Sequence, residues 1–122
     1  MSGHRNLKAF QLAYGLALEI FKETSGFPKH EIYSLTDQIR RASRSVAANL
    51  VEAHRKRRYK NVFVLKISDA DAEATEVQVW LDFAKDFGYL PLDKHEALIT
   101  GYEELGRMLG GILKAPEKFL DR

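Results

Sequence analysis

The sequence predicts an all-α fold, an antiparallel up-down-up-down four-helix bundle, and three observations support this prediction. Apolar residues recur at alternating steps of three and four in four separate segments, as they do in helices that pack nearly parallel. The connections between these segments are short, which makes consecutive helices antiparallel. No competing segment alternates apolar and polar residues in the manner of a half-buried strand. The helices are predicted to cover approximately 6–25, 33–56, 60–87 and 92–114 of a single domain, residues 1–122.

The first two helices each carry an apolar series that we interpret as the core-facing side. In helix 1 this series is Leu7, Phe10, Tyr14, Ala17 and Phe21. In helix 2 it is Leu35, Ile39, Ala42, Val46, Leu50 and Ala53. After helix 1, Gly26 is expected to adopt the positive φ of a helix C-cap, and Pro28 prevents the helix from continuing. Ser34 and Thr36 offer hydroxyl groups that can cap the start of helix 2.

Helices 3 and 4 show the same periodicity. The core-facing series of helix 3 is the most regular in the chain: Phe63, Ile67, Ala70, Ala74, Val77, Leu81 and Ala84. The turn residues of the segment DFGYLP end this helix. The series of helix 4 is Leu98, Tyr102, Leu105, Leu109 and Ile112, and the helix closes before Pro116.

Helices 1 and 3 also carry a second apolar stripe, which in a soluble protein indicates that a further partner covers it. On helix 1 this stripe consists of Ala9, Leu12, Ala13, Leu16 and Ile20. On helix 3 it consists of Leu65, Ala72, Val79 and Phe83, with Trp80 and Phe87 beside them. We therefore predict a homo-oligomer with the following interface residues: Leu12, Leu16, Ile20, Leu65, Val79, Trp80 and Phe83. The alternative is that these helices simply have wide core-facing sides.

Composition and motifs exclude several classes of function. The chain has no cysteine, which rules out thiol catalysis, and it has no apolar run of membrane-spanning or signal-peptide length, so a cytoplasmic location is expected. The four histidines are not in metal-ligand spacing, and no phosphate-binding glycine loop or hydrolase motif occurs. We predict no metal, no cofactor and no enzymatic activity. A less favoured alternative is an unrecognised site in which Glu52, His54 and Arg41 meet.

The segment Gln38–Asn61 holds eight Lys or Arg residues and one acidic residue, although the whole chain has a net charge of only +2. Clustered cations near an aromatic ring are typical of a nucleic-acid site, with phosphates bound by the cations and a base stacked on Tyr59. The candidate residues are Arg40, Arg41, Arg44, Arg55, Lys56, Arg57, Arg58 and Lys60. Two alternatives stay open: the cations stabilise a helix C-terminus, or they pair with the acidic helix 3 of another subunit.

The stretch TSGFPKHEIYSLTDQIRRASRSVAANLVEAHR resembles the family of four-helix-bundle proteins encoded in intervening sequences of bacterial 23S ribosomal RNA genes. The similarity depends on Thr24, Phe27, Pro28, Glu31, Tyr33, Leu35, Thr36, Gln38, Ile39, Arg40, Arg41, Ala42, Ser45, Asn49 and Glu52. The chain has Ser34 and Ala53 where that family usually has glycine. It also lacks the Gly-Ser pair that often precedes the acidic residues of helix 3.

The resemblance implies a cytoplasmic bacterial protein that assembles as a ring-like homopentamer and has no established enzymatic activity. The accessory variability proteins of diversity-generating retroelements are similar in architecture, being basic pentameric bundles that bind nucleic acid. By this analogy the expected function is that of an RNA-binding or DNA-binding scaffold. The alternative is a protein-protein interaction ring with no role in nucleic-acid binding.

Overall fold

A computed structural model describes residues 3–120 and contains four α-helices. Their bounds are α1 Lys8–Thr24, α2 Leu35–Arg55, α3 Lys60–Asp86 and α4 Leu92–Lys114. Single 3₁₀ turns cover His4–Asn6, Lys29–Glu31 and Pro116–Phe119, and residues 3–120 contain no strand. The predicted all-α bundle is confirmed, and the predicted helix ends lie within two residues of the observed ones.

The four helices surround one apolar core. Each helix packs against its neighbours in sequence, and α1 also packs against α4, which closes the bundle. The core-facing series predicted for α2 and α3 are both confirmed, because every residue in them is buried. In α4, Leu98, Tyr102, Leu105 and Leu109 are buried, whereas Ile112 is only half-buried.

The prediction for the two faces of α1 is wrong. Ala9, Ala13, Leu16 and Ile20 face the core, with Ile20 only 1% exposed. Of the series interpreted as core-facing, Tyr14 and Phe21 are about half exposed, and Phe10 is half-buried at the edge of the core. Because both sides of α1 are apolar, periodicity alone does not distinguish them.

The small residues decide which face of α1 packs inwards. Alanine at positions 9 and 13 lets α1 approach the bundle closely, and Gly101 of α4 faces Leu16 so tightly that a Cβ atom there would lie 2.5 Å from the Leu16 Cδ2. Leu16 and Ile20 were predicted to lie in an oligomer interface, but they belong to the core of the chain itself. Leu12 is half-buried and packs against that core.

The connections use different cap residues from those expected. Gly88 at the end of α3 is the residue of positive φ between 3 and 120, at 80°, and Gly26 does not adopt that conformation. At the start of α2 the hydroxyls of Ser34 and Thr36 make no cap bond. Instead, the Glu31 carboxylate accepts a hydrogen bond from the Leu35 backbone N–H at 3.3 Å and another from the Ser34 hydroxyl.

Candidate nucleic-acid interface

The antiparallel arrangement brings cations from all four helices to one end of the bundle. The start of α1, the end of α2, the start of α3 and the end of α4 meet there around a common cavity, which Lys8, Arg57, Arg107 and Lys118 all line. Arg55, Lys56, Arg58 and Lys60 adjoin Arg57 in the chain. We call these residues the basic end: Lys8, Arg55, Lys56, Arg57, Arg58, Lys60, Arg107 and Lys118.

Three of these cations project without a partner from the α2–α3 connection, in which we include Arg55 at the end of α2 and Lys60 at the start of α3. Arg55, Lys56 and Arg58 are exposed, and across the described part of the chain none of them forms an ion pair or a side-chain hydrogen bond. Tyr59 follows them and is 56% exposed. The connection therefore presents three positive charges and a phenol ring to solvent at the same place.

The other two predicted cations of this connection are held within the protein. Arg57 is half-buried, and its Nη1 donates a 2.8 Å hydrogen bond to the carbonyl of His54 and lies 3.1 Å from the His54 Nε2. Lys60 Nζ lies 2.7 Å from the Glu117 carboxylate and lowers the pKa of that carboxyl group through the hydrogen bond. Both contacts fix a helix end: the first closes α2, and the second ties α3 to the C-terminal turn.

Arg40, Arg41 and Arg44 lie apart from the basic end, in the first half of α2. The Arg40 Nε donates a 2.8 Å hydrogen bond to the Thr24 hydroxyl, and its guanidinium lies 4.5 Å from the centre of the Phe21 ring, so this side chain links α1 to α2. Arg41 forms an ion pair with Asp37 at 3.0 Å. Only Arg44 is exposed and has no partner among the contacts that the structure describes.

Arg41 and Arg44 face the acidic side of α3 across a polar surface cavity. Glu73 and Glu76 line that cavity with them. Partial burial of the Glu73 carboxyl, together with the neighbouring Glu76, raises the pKa of Glu73. The predicted eight-residue cluster is thus two separate groups, one of which lies against carboxylates of the same chain.

Sequence reasoning missed Lys8, Arg107 and Lys118, which join the basic end from three other segments. Lys8 opens α1, Arg107 lies near the end of α4 and Lys118 is in the last 3₁₀ turn. Each is an isolated cation in the sequence, and only the antiparallel topology places it beside Arg57. A prediction that grouped charges by bundle end, instead of by position along the chain, would have found them.

The second predicted surface, the outer side of α3, is exposed and aromatic. Leu65 is 57% exposed, Val79 and Phe83 are each 45% exposed, and Trp80 is half-buried against the core. Ring contacts continue along this side, with 6.0 Å between the ring centres of Trp80 and Phe83 and 5.7 Å between those of Phe83 and Phe87. We call Leu65, Val79, Trp80, Phe83 and Phe87 the outer aromatic face.

The arrangement of four antiparallel helices can be compared with known proteins. Residues 5–111 match the 23S rRNA-intervening sequence protein family, which covers most of the chain. The chain belongs to this family. The resemblance seen in the sequence around α2 is therefore confirmed.

The fold of this family member also occurs in a solved structure. A protein of unknown function from the S23 ribosomal protein family of Bacteroides thetaiotaomicron superposes with a TM-score of 0.81 and 22% sequence identity. The match covers 88% of this chain and 99% of that one, so the two proteins share the whole four-helix fold. Comparison with curated proteins gives no match.

Two further properties of this family member concern membranes and metals. None of the helices between residues 3 and 120 is both long and apolar enough to cross a membrane. Within the same residues, no three His, Cys, Asp or Glu side chains are grouped as metal ligands. Glu52 and Arg41 both lie on α2, where a rise of about 1.5 Å per residue places them roughly 16 Å apart, and they pair with Lys66 and Asp37 respectively.

Proposed function

We propose that this protein is a non-catalytic scaffold that binds nucleic acid through the basic end of its bundle. The observation that carries the proposal is the set of unpartnered cations on the α2–α3 connection, Arg55, Lys56 and Arg58, beside the exposed ring of Tyr59. Phosphate groups are the natural partners of such cations, and an exposed phenol offers a stacking surface for a base. Lys8, Arg107 and Lys118 extend the same positive surface across the end of the bundle.

The simpler interpretation, that cations at a helix C-terminus only stabilise the helix, accounts for part of the group. Such stabilisation requires a cation near the last carbonyl groups of the helix. Arg57 meets this requirement through its bond to the His54 carbonyl, and Arg55 meets it by its place in the last turn of α2. Arg58 lies beyond α2 and two residues before α3 begins, where the helix dipole favours negative charge, so this interpretation does not account for it and an external partner is favoured.

Fluorescence anisotropy with a labelled single-stranded RNA of about 20 nucleotides, and with DNA of the same sequence, tests the proposal. At about 50 mM salt the protein should bind, and the affinity should fall steeply as salt is added, because each neutralised phosphate releases counterions. A comparison of RNA with DNA then identifies the preferred nucleic acid. Absence of binding to both at low salt, or binding that salt does not weaken, contradicts the proposal.

Self-association is the second part of the proposed function, and the outer aromatic face favours it. Exposed aromatic residues in contact with one another are characteristic of an interface. The outer side of α1 adds Tyr14, Leu18 and Phe21, each more than half exposed. These two surfaces lie on different helices and carry different residues, so a head-to-tail contact that closes into a ring suits them, and the family resemblance suggests five subunits.

Light scattering coupled to size exclusion at micromolar concentration tests the assembly. A mass several times the 13.9 kDa of one chain supports the ring, and five times that mass supports a pentamer. A mass of one chain contradicts it. If the ring forms but nucleic acid does not bind, the protein is a protein-protein interaction ring without a role in nucleic-acid binding.

A further inference from the structure

The basic end encloses an apolar cavity that the proposed binding of nucleic acid does not use. Its volume is about 630 Å³, within the range of about 300–1,000 Å³ typical of small-molecule sites. Leu50, Phe63 and Ile67 line its floor, and each of them is less than 5% exposed. The space exists because Ala9, Ala53 and Gly111 face it with little or no side chain.

The mouth of the cavity differs in chemistry from its floor. Lys8, Arg107 and Lys118 are exposed at the mouth, and the half-buried Arg57 is fixed in the wall by its contacts with His54. Among the described residues, no Asp or Glu lines the cavity. A molecule in this cavity therefore meets apolar side chains along its buried part and positive charge at its exposed end.

We propose that this cavity binds an amphipathic anion, namely a free medium-chain carboxylate. The alkyl chain lies among Leu50, Phe63 and Ile67, and the carboxylate pairs with Arg57, Arg107 and Lys118 at the mouth. Charge complementarity selects the head group, because a guanidinium and a carboxylate form strong, directed hydrogen bonds. Burial of the alkyl chain supplies the main part of the affinity, since each methylene removed from water is favourable.

The volume of the cavity limits the length of the alkyl chain that it can hold. At about 30 Å³ for a group the size of a water molecule, a cavity of this size holds roughly twenty such groups, including those near the mouth. A carboxylate of about ten to fourteen carbons thus fits with its head group in the opening. A nucleic-acid phosphate has no apolar part to place on the floor, so this inference stands independently of the proposed function.

Isothermal titration calorimetry with dodecanoate, below its micelle concentration, tests the inference. The protein should bind one dodecanoate per chain, with a Kd on the order of 10 µM. Dodecyltrimethylammonium has the same chain and the opposite charge, and it should bind at least about tenfold more weakly if the cations at the mouth recognise the head group. Acetate carries the head group without the chain and should show no measurable binding.

Two glycines of α4 offer a matched pair of variants. A Cβ atom at Gly111 meets no other atom within 4 Å, and Gly111 lines the cavity, so the side chain of Gly111→Leu has room to begin there and should fill part of the cavity. Gly110 is equally open but lies outside the cavity, so Gly110→Leu gives the same gain in helix propensity and leaves the site intact. Gly111→Leu should weaken dodecanoate binding by about tenfold or more, and Gly110→Leu should leave it unchanged.

A second variant tests the head-group contacts without filling the cavity. Arg107→Glu with Lys118→Glu reverses two exposed charges and should weaken dodecanoate by about tenfold or more. Equal binding of dodecanoate to Gly111→Leu and Gly110→Leu, an unchanged affinity in the charge variant, or many dodecanoates per chain would each overturn the inference. RNA binding by Gly111→Leu should match that of the wild type, so failure of this inference and failure of the proposed function are separate results.

Discussion

The two ends of the bundle differ in how their charged residues are arranged. At the end opposite the basic end, where α1 finishes and α4 begins, several charged side chains have partners within the chain, although the exposed Lys22 and Lys29 have none in residues 3–120. The His95 Nε2 lies 2.8 Å from Asp82, Lys94 lies 4.0 Å from Glu23, and the Tyr89 hydroxyl donates a 2.9 Å hydrogen bond to Glu31. At the basic end, the three unpartnered cations of the α2–α3 connection stand within six residues, 55–60, that include no Asp or Glu.

This comparison indicates that the clustering of unpaired cations, more than the local number of charges, distinguishes the proposed binding surface from the opposite end. Arg40 and Arg55 both belong to α2 and both count towards the positive charge of the same segment. The guanidinium of Arg40 is occupied by Thr24 and Phe21, so its contacts serve the stability of the bundle. Arg55 is exposed and makes no such contact within the described chain, so its charge is available to a partner.

The largest expected effect comes from charge reversal at the basic end. Arg55→Glu with Arg58→Glu should weaken binding to single-stranded RNA by roughly 100-fold at about 50 mM salt, because phosphate contacts are replaced by repulsion. Lys22→Glu with Lys29→Glu makes the same change in net charge at the opposite end, where both lysines are exposed. Fluorescence anisotropy should show little loss of RNA affinity for this control. Equal losses in the two variants mean that net charge, and not the basic end, governs binding.

The next effect concerns assembly. Phe83→Glu places a carboxylate in the outer aromatic face and should dissociate the assembly, with a loss of roughly 2 kcal/mol or more per contact if this ring is an interface anchor. Light scattering should then give the mass of one chain, while circular dichroism stays helical. Leu92→Glu changes an apolar residue that is 73% exposed at the start of α4, and it should leave the mass unchanged. A Phe83→Glu protein of wild-type mass excludes this face from the interface.

Arg40 should contribute to stability where Arg44, one turn further along α2, should not. Arg40→Ala removes the hydrogen bond to Thr24 and the contact with the Phe21 ring, and should lower the free energy of unfolding by about 2 kcal/mol. Arg44→Ala should change it by less than about 0.5 kcal/mol, as is usual for an exposed side chain. Urea unfolding of the two variants measures the difference. Equal midpoints would mean that the Arg40 contacts do not stabilise the bundle.

The smallest effect is a pH dependence from Glu31. Hydrogen bonds from Ser34 and then from Tyr89 lower the pKa of the Glu31 carboxyl below its ordinary value of 4.5. Because the folded state favours the ionised form, this stabilisation is present above the ordinary pKa and is lost as the pH falls through the lowered one. Glu31→Gln should therefore lose less stability than the wild type between about pH 5 and about pH 3. Identical pH profiles of thermal unfolding would contradict the prediction.

Much of the fold could be predicted because α2 and α3 each have one unambiguous apolar side. The series from Phe63 to Ala84 is uninterrupted, and all of its members are buried. The faces of α1 could not be assigned in this way, because large aromatic residues on its outer side resemble a core series. The decisive feature is the close approach of Leu16 to Gly101, which is 85 positions away in the chain and leaves no periodic signal.

The candidate site was only partly predictable for a related reason. The positive charge of the α2–α3 connection is visible in the sequence, since Arg55 to Arg58 are consecutive. The partners of Arg40 and Lys60 come from other helices or from the C-terminal turn, so sequence reasoning counted both as available. Lys8, Arg107 and Lys118 reach the basic end only because the helices are antiparallel.

The salt dependence of RNA affinity measures the phosphates that the basic end contacts. On single strands the log-log slope changes by about 0.7 for each phosphate neutralised, so Arg55→Ala with Arg58→Ala should reduce its magnitude by about 1.4 if each side chain contacts one phosphate. Lys22→Ala with Lys29→Ala should leave the wild-type slope unchanged. A slope that is the same in all three proteins would contradict the central claim that the unpaired cations of the basic end bind nucleic acid.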